Sequence, residues 1–326
     1  MYLALDLPTS ADATGQRARL IALDWGTSSL RGWLLAADGQ VLERREGALG
    51  ILNLAHADFR SAFESFCAGW LDADPGLPVI AAGMIGSRQG WAEVPYIETP
   101  ASLADLADGL LALDSRAGRP FRIVPGLVSR PADGTADVLR GEETQVFGAL
   151  AGAPAGERLF VLPGTHSKWV ATRGLAVTGF RTCMTGELYA VMRQYAILGR
   201  LCEEPAIADG PGQLAAFDDG VALGLARPGA IGHLLFTVRS QGLLGLRPAD
   251  CLPAYLSGLL IGAEIGDGLA SFAPTAPPCI IASPALAARY HRAFARAGID
   301  TDEAAGEPAC AGLLALARPA FALEED

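Results

Sequence analysis

Gly26-Thr27-Ser28-Ser29 and Gly164-Thr165-His166-Ser167 follow one pattern, a glycine and a threonine closed two residues later by serine, in a chain of 326 residues. A turn of such small residues can aim successive backbone N–H groups and hydroxyls into one concavity that suits phosphate oxygens. Asp24 ends the apolar run before the first turn, where a carboxylate can hold Mg²⁺ through water. Leu162 stands at that place in the second copy, which predicts one metal-side turn and one that only cradles phosphate. Each turn alone also suits an ordinary β-hairpin; the repetition at equivalent places favours a ligand. Lys168, the only lysine of the chain, follows the second turn directly and is either a phosphate contact or a solvated cation.

The elements that must position these turns repeat as well. Residues 20–45 read as three strands joined by the first turn and by Asp38-Gly39, and residues 158–181 have the same plan with Arg173-Gly174 in the second corner. Between the copies, helices over 57–71 and 103–113 alternate with short strands at 79–82 and 121–124. After the second copy come a strand at 279–282 and helices at 284–297 and 308–317. This is an α/β chain in two halves, an N-terminal domain of 18–150 and a C-terminal domain of 151–326, with residues 1–17 as a loosely held extension.

Composition bounds the ligands. Hydrophobic residues make up 51% of the chain, enough for a sizeable core, and 36 acidic against 25 basic residues give a net charge of -11. Such a field repels nucleic acid and acidic membranes, so an anionic ligand must be held locally. No apolar run reaches membrane-spanning length and no basic stretch precedes an apolar one near Met1, so a cytoplasmic location is expected. The six cysteines are scattered without a C-x-x-C pair, and buried thiols are expected rather than a zinc site. There is no G-K-[ST] of a P-loop, no G-x-G-x-x-G after the first strand, no G-x-S-x-G and no H-E-x-x-H. The sequence leaves a homo-oligomer open.

Several blocks together resemble the 2-dehydro-3-deoxygalactonokinases: IALDWGTSSLRGWLL from Ile21, AAGMIGSRQGWAEVPYIETPA from Ala81, RGEETQVFGA from Arg140, LPGTHSKWV from Leu162, FRTCMTGEL from Phe180 and SGLLIGAE from Ser257. The resemblance implies two ribonuclease-H-like domains of the actin-like ATPase kind, closing across a cleft on ATP and Mg²⁺. It also implies transfer of phosphate to the terminal hydroxyl of a keto-deoxy sugar acid. Under it, Gly26, Thr27, Ser28, Ser29, Gly164, Thr165, His166, Ser167 and Lys168 would grip the nucleotide phosphates and Asp24 the metal. Wider sugar-kinase relatives carry a base at a G-D-x-Q helix start; here the stretch is Gly141-Glu142-Glu143-Thr144-Gln145, which offers Glu142 and the adjacent Glu143. Both also suit the positive end of a helix dipole.

A sugar acid needs a cation for its carboxylate. Arg88 follows a strand-to-glycine turn and can bind carboxylate in bidentate fashion, with Ser87, Gln89 and Trp91 as further contacts. Arg31, Arg181 and Glu187 complete the candidates, while Thr185-Gly186-Glu187 equally suits a helix start with Thr185 as N-cap. A kinase for another sugar acid or ketose, a non-catalytic sugar sensor and a nucleotide hydrolase are the competing readings.

Overall fold

The computed structural model describes residues 16–54, 58–114, 119–153, 156–205 and 209–323. Its contacts divide the chain into two units: Met1–Pro154 with Leu175–Val177 and Ala305–Asp326, and Ala155–Gly174 with Thr178–Ala304.

In the first unit the apolar run LIALDW makes β1 (Leu20–Trp25), almost wholly buried, antiparallel to β2 (Leu30–Leu35). Outside β2 lies β3 (Val41–Gly47), whose charged residues leave no side fully buried and so mark a sheet edge. Helix α1 (Phe59–Ala73) starts where Asp58 accepts the Ser61 N–H at 3.0 Å. Its apolar residues Phe59, Phe63, Cys67, Trp70 and Leu71 fall on one face and pack on the sheet. On the other side of β1, β4 (Val79–Gly83) runs parallel to it.

The unit continues through β5 (Ile97–Glu98), β6 (Ala101–Ser102), α2 (Leu103–Asp108), β7 (Leu111–Leu113), β8 (Phe121–Ile123), β9 (Leu127–Ser129), β10 (Asp137–Leu139) and α3 (Glu142–Leu150). The main sheet has the order β3-β2-β1-β4-β8-β7. The helix expected over 103–113 ends at Asp108: a reciprocal Ser102–Asp105 cap opens it, Gly109 closes it, and residues 111–113 pair with β8 instead. Tertiary pairing overrode local helix propensity there. Ala57, expected to begin α1, lies outside the described residues, as does most of the expected N-terminal extension.

The meander is repeated by β11 (Glu157–Leu162), β12 (Ser167–Arg173) and β13 (Ala176–Cys183), which belong to the second unit except for Ala176 and Val177 at the start of β13. Then follow α4 (Thr185–Gln194), α5 (Pro211–Ala226), α6 (Ile231–Leu243), α7 (Leu252–Phe272), β14 (Cys279–Ile280), α8 (Pro284–Arg296) and β15 (Asp302–Glu303). The strand order β15-β14-β11-β12-β13, with β14 parallel to β11, matches the meander-plus-parallel-strand plan of the first sheet. Helix α7 is buried over most of its length and approaches α5 through facing glycines; a Cβ at Gly220 would stand 2.3 Å from the Tyr255 carbonyl oxygen. Among the described residues no single helix is long and apolar enough to cross a membrane. All six cysteines are free thiols.

Helix α9 (Pro308–Phe321) belongs by contact to the first unit, although the division at residue 150 places it in the second half. It lies against α3 at backbone distance. A Cβ at Gly148 would stand 1.9 Å from the Pro308 carbonyl oxygen, and one at Gly312 1.9 Å from that of Thr144. Only glycine admits so close a crossing.

Candidate active site

The first turn is built to leave its amides free. The carbonyls of Gly26 and Thr27 accept the N–H groups of Ile51 and Leu52, each at 3.1 Å, and the Ser28 carbonyl accepts Asn53 Nδ2 at 2.9 Å. In a trans peptide the C=O and the following N–H point in opposite directions. Fastening three successive carbonyls on one side therefore presents the N–H groups of Thr27, Ser28 and Ser29 on the other, where Thr27 and Ser28 are exposed. Gly50 permits this backing, since a Cβ there would stand 2.2 Å from Ser28 carbonyl carbon. The stretch Gly50-Ile51-Leu52-Asn53 was not among the residues singled out in the sequence; its only signal is a glycine ahead of a short apolar run.

Behind the turn, the β1–β2 register sets Asp24 opposite Arg31, and the two side chains form an ion pair. Arg31 is thus committed to Asp24. The other carboxylate oxygen of Asp24 lies 3.4 Å from where a Cβ at Gly83 would be, and Gly83, at φ +93°, closes on the Trp25 carbonyl. A Cβ at Gly141 would in turn stand 3.2 Å from Gly83 Cα. Gly83 is therefore the meeting point of the first turn, the end of β4 and the N-terminus of α3.

That N-terminus carries both glutamates. Glu142 is partly exposed and accepts the Arg140 N–H at 3.1 Å. Glu143 is 1% exposed, accepts the Gly141 N–H at 2.6 Å through one oxygen, and leaves Oε1 buried without a partner. Burial first, and the nearby Glu142 charge second, push the Glu143 carboxyl up to about 8.

The turn after β4 folds back on itself through Gly90 N–H to Ser87 O at 2.9 Å and Val94 N–H to Gly86 O at 3.0 Å. Arg88 and Gln89 are exposed on it, and Ser87 Oγ is buried without a partner. Trp91 is used in the core: its ring packs against Trp25, Phe59, Phe63 and Phe121 at centroid distances of 5.6–6.4 Å. That packing accounts for it without a ligand.

The second unit repeats the device with different parts. The Thr165 carbonyl accepts the Glu187 N–H at 3.0 Å, and the His166 carbonyl accepts Lys168 Nζ at 3.0 Å. Their fastening turns the N–H groups of His166 and Ser167 to the opposite side. Gly164 is not at positive φ and a Cβ there would meet nothing within 4 Å, so the chain's own packing does not require glycine, whereas a closely approaching ligand would. Lys168 is neither a solvated surface residue nor aimed outward: it is 5% exposed, sits opposite Leu162 and props the turn from behind.

Glu264, on α7, anchors the whole arrangement and was missed as a site residue. It accepts Ser167 Oγ at 2.6 Å, Trp169 Nε1 at 2.8 Å and Tyr290 Oη at 2.7 Å, as well as the Thr185 hydroxyl. Burial pushes its carboxyl up, against these four donors. The signal in the sequence is a lone acid inside the apolar block SGLLIGAE. The Ser167 hydroxyl is thus spent on Glu264. Thr185 is the first residue of α4, with Met184 at the cap position, because its hydroxyl is drawn to Glu264. His166 pairs with Glu187, and Arg181 is held at the surface by Asp267 at 2.9 Å and Ser271 at 2.6 Å.

Two α/β units of one strand order, each opening on a Gly-Thr-x-Ser hairpin turn, give the chain a duplicated ribonuclease-H-like fold. A family model described as 2-keto-3-deoxy-galactonokinase matches residues 24–316, and the chain belongs to that family. It is 37% identical over 294 residues to the 2-dehydro-3-deoxygalactonokinase of Escherichia coli (strain K12), covering 90% of this chain and 94% of that one. It is 41% identical over 308 residues to a probable 2-dehydro-3-deoxygalactonokinase of Rhizobium meliloti (strain 1021), covering 93% and 97%. A crystal structure from Sinorhizobium meliloti, provisionally described as such a kinase, superposes with a TM-score of 0.85 at 40% identity over 93% of this chain and 99% of that one.

Proposed function

We propose that the chain transfers the γ-phosphate of ATP to the terminal (6-) hydroxyl of 2-dehydro-3-deoxy-D-galactonate, a step of galactonate catabolism. The observation that carries this reading within the molecule is the convergence at Gly83. There a turn with free amides, a carboxylate at a strand end and the N-terminus of an acid-bearing helix come together. Phosphoryl transfer needs little else from a protein than positioning, charge stabilisation and a group to take the proton.

The amides of Thr27, Ser28 and Ser29, and in the second unit that of His166, suit phosphate oxygens. Among the described residues no group of three or more acidic, histidine or cysteine side chains gathers to hold a metal. A single carboxylate fits Mg²⁺, which keeps several waters and takes its other ligands from phosphate. Mg²⁺ bound through Asp24 would neutralise charge on the transferring group, and Arg31 fixes the orientation of that carboxylate.

Glu142 acts as the base. It is the accessible member of the pair, whereas Glu143 is sealed off. Its carboxylate receives the acceptor hydroxyl proton as the new O–P bond forms and the bond to the leaving ADP breaks. Arg88, exposed and without an ion pair among the described residues, is free to meet an incoming anion. The reaction belongs in the cytoplasm, where ATP is supplied and free thiols persist.

Coupled ADP-release assays with a panel of 2-keto-3-deoxy acids, aldonates and ketoses test the reading. Turnover is expected with the galactonate-derived acid, and Asp24→Ala should abolish its Mg²⁺-dependent part. ADP release that needs no acceptor, or none with any acid, overturns it.

A further inference from the structure

Arg140 and Lys168 are the only buried cations among the described residues. They differ in how their charge is met, for Lys168 is drawn into the backing of the second turn, whereas Arg140 has no salt bridge. Of its guanidinium, only Nη2 donates, to the Val94 carbonyl at 2.7 Å; Nε and Nη1 are buried without a partner. A buried guanidinium with unused donors is costly to maintain, which makes it a candidate for an anion that arrives from outside.

The surroundings of Arg140 point the same way. Nη1 lies 2.9 Å from where a Cβ at Gly86 would be, so it sits against the turn that carries Ser87. Ser87 Oγ is itself buried and unpartnered, one residue along that turn. A guanidinium with two unpartnered nitrogens, packed on a turn whose next residue carries an unpartnered hydroxyl, has the donor set of a carboxylate site. Tyr96 covers it, with its ring 4.3 Å from the guanidinium carbon; that residue is 41% exposed, so a side-chain rotation rather than a core rearrangement uncovers the cation. Glu143, whose carboxyl is pushed up to about 8, keeps its proton at neutral pH and so adds no charge of its own to meet that of Arg140. Arg140 also directly precedes Gly141 and Glu142, the residue assigned as the base.

We propose that Arg140, with the Ser87 hydroxyl beside it, receives the carboxylate of the sugar acid, while the exposed Arg88 only attracts it. This assignment rests on the sugar-acid reading above. It makes Arg140 the residue that separates acids from neutral sugars of the same length.

The test compares the acid with its neutral analogue, in which the carboxylate is reduced to an alcohol, by ADP release and by calorimetric binding to the full chain. Arg140→Lys should raise the acid KM about 30- to 100-fold and Ser87→Ala about 5- to 10-fold. The KM for ATP and the kcat/KM of the neutral analogue should stay within about threefold, so the preference for the acid collapses. Arg88→Ala should change the acid KM by less than about fivefold. Ser87→Ala, which removes one oxygen from an otherwise unchanged turn, gives a reading even where Arg140→Lys folds poorly. Equal losses for acid and neutral analogue in the Arg140 variant, or unchanged acid binding in both variants, overturn the assignment. Failure of the wild type to form ADP with an acid that it nonetheless binds overturns the kinase reading instead, and calorimetry still decides the role of Arg140.

Discussion

Replacing Glu143 by glutamine should make the protein more stable in alkaline solution while leaving the chemistry largely intact. The carboxyl is fully buried and rises from an ordinary 4.5 to about 8. At about 1.4 kcal/mol for each tenfold change in proton affinity, that rise corresponds to a charging cost on the order of 5 kcal/mol. Below pH 4.5 the folded and unfolded chains both carry the proton and the group contributes no penalty. Between 4.5 and 8 the unfolded chain gives its proton up while the folded chain holds it, so stability falls as pH rises. Above 8 the folded chain has lost it too, and the penalty is complete. Glutamine keeps an oxygen for the Gly141 N–H but has no charge to bury. In urea unfolding from pH 5 to pH 9, the stability of Glu143→Gln relative to wild type should therefore climb by a few kcal/mol. A difference that is flat across that range, or that favours wild type at high pH, refutes the account. In the same preparations kcat should stay within a few-fold of wild type, whereas Glu142→Gln should lose about 10²- to 10⁴-fold; the reverse pattern moves the base to Glu143.

Two further changes probe the supports of the site. Glu264→Leu removes the acceptor of Ser167, Trp169, Thr185 and Tyr290 at once, and buried donors left unpaired cost about 1–3 kcal/mol each. Thermal melting should show a loss of several kcal/mol, with Glu264→Gln far milder and its KM for ATP raised more than its kcat is lowered. Gly312→Val forces a side chain into the Thr144 carbonyl and should cost about 3 kcal/mol or more, with kcat falling because α3 carries Glu142. Unchanged melting of Gly312→Val would mean that α9 does not press on α3.

The alternation of apolar runs with turn residues made the two meanders legible, because strand pairing across a short turn is a local matter. The parallel strands β4, β8 and β14 were legible too as short buried runs. The helix over 103–113 was not, since its second half is decided by pairing with a strand ten residues on. At the site, residue types announced the turns and the paired glutamates. Sequence could not show which donors are already used, and that distinction reassigns the Ser167 hydroxyl and Arg31 to the protein's own structure, as ring packing does Trp91. Nor could it show that Arg140, within a block already singled out, is buried with idle donors while Arg88 is exposed. Burial and partnership arise from contacts between segments far apart in the chain, and no local pattern encodes them.

Helix α9 carries a consequence for how the molecule is made. The ribosome completes Met1–Pro154 long before it reaches Ala305–Asp326, with nearly the whole second unit synthesised in between. Until that late segment emerges, the face of α3 at Thr144 and Gly148 lacks the helix that packs on it, and the helix bearing Glu142 lacks its brace. Closure across so long a stretch of chain is slow compared with local pairing. The nascent first half should therefore wait, open to chaperones and proteases, and gain its finished catalytic helix only once translation has delivered the far end.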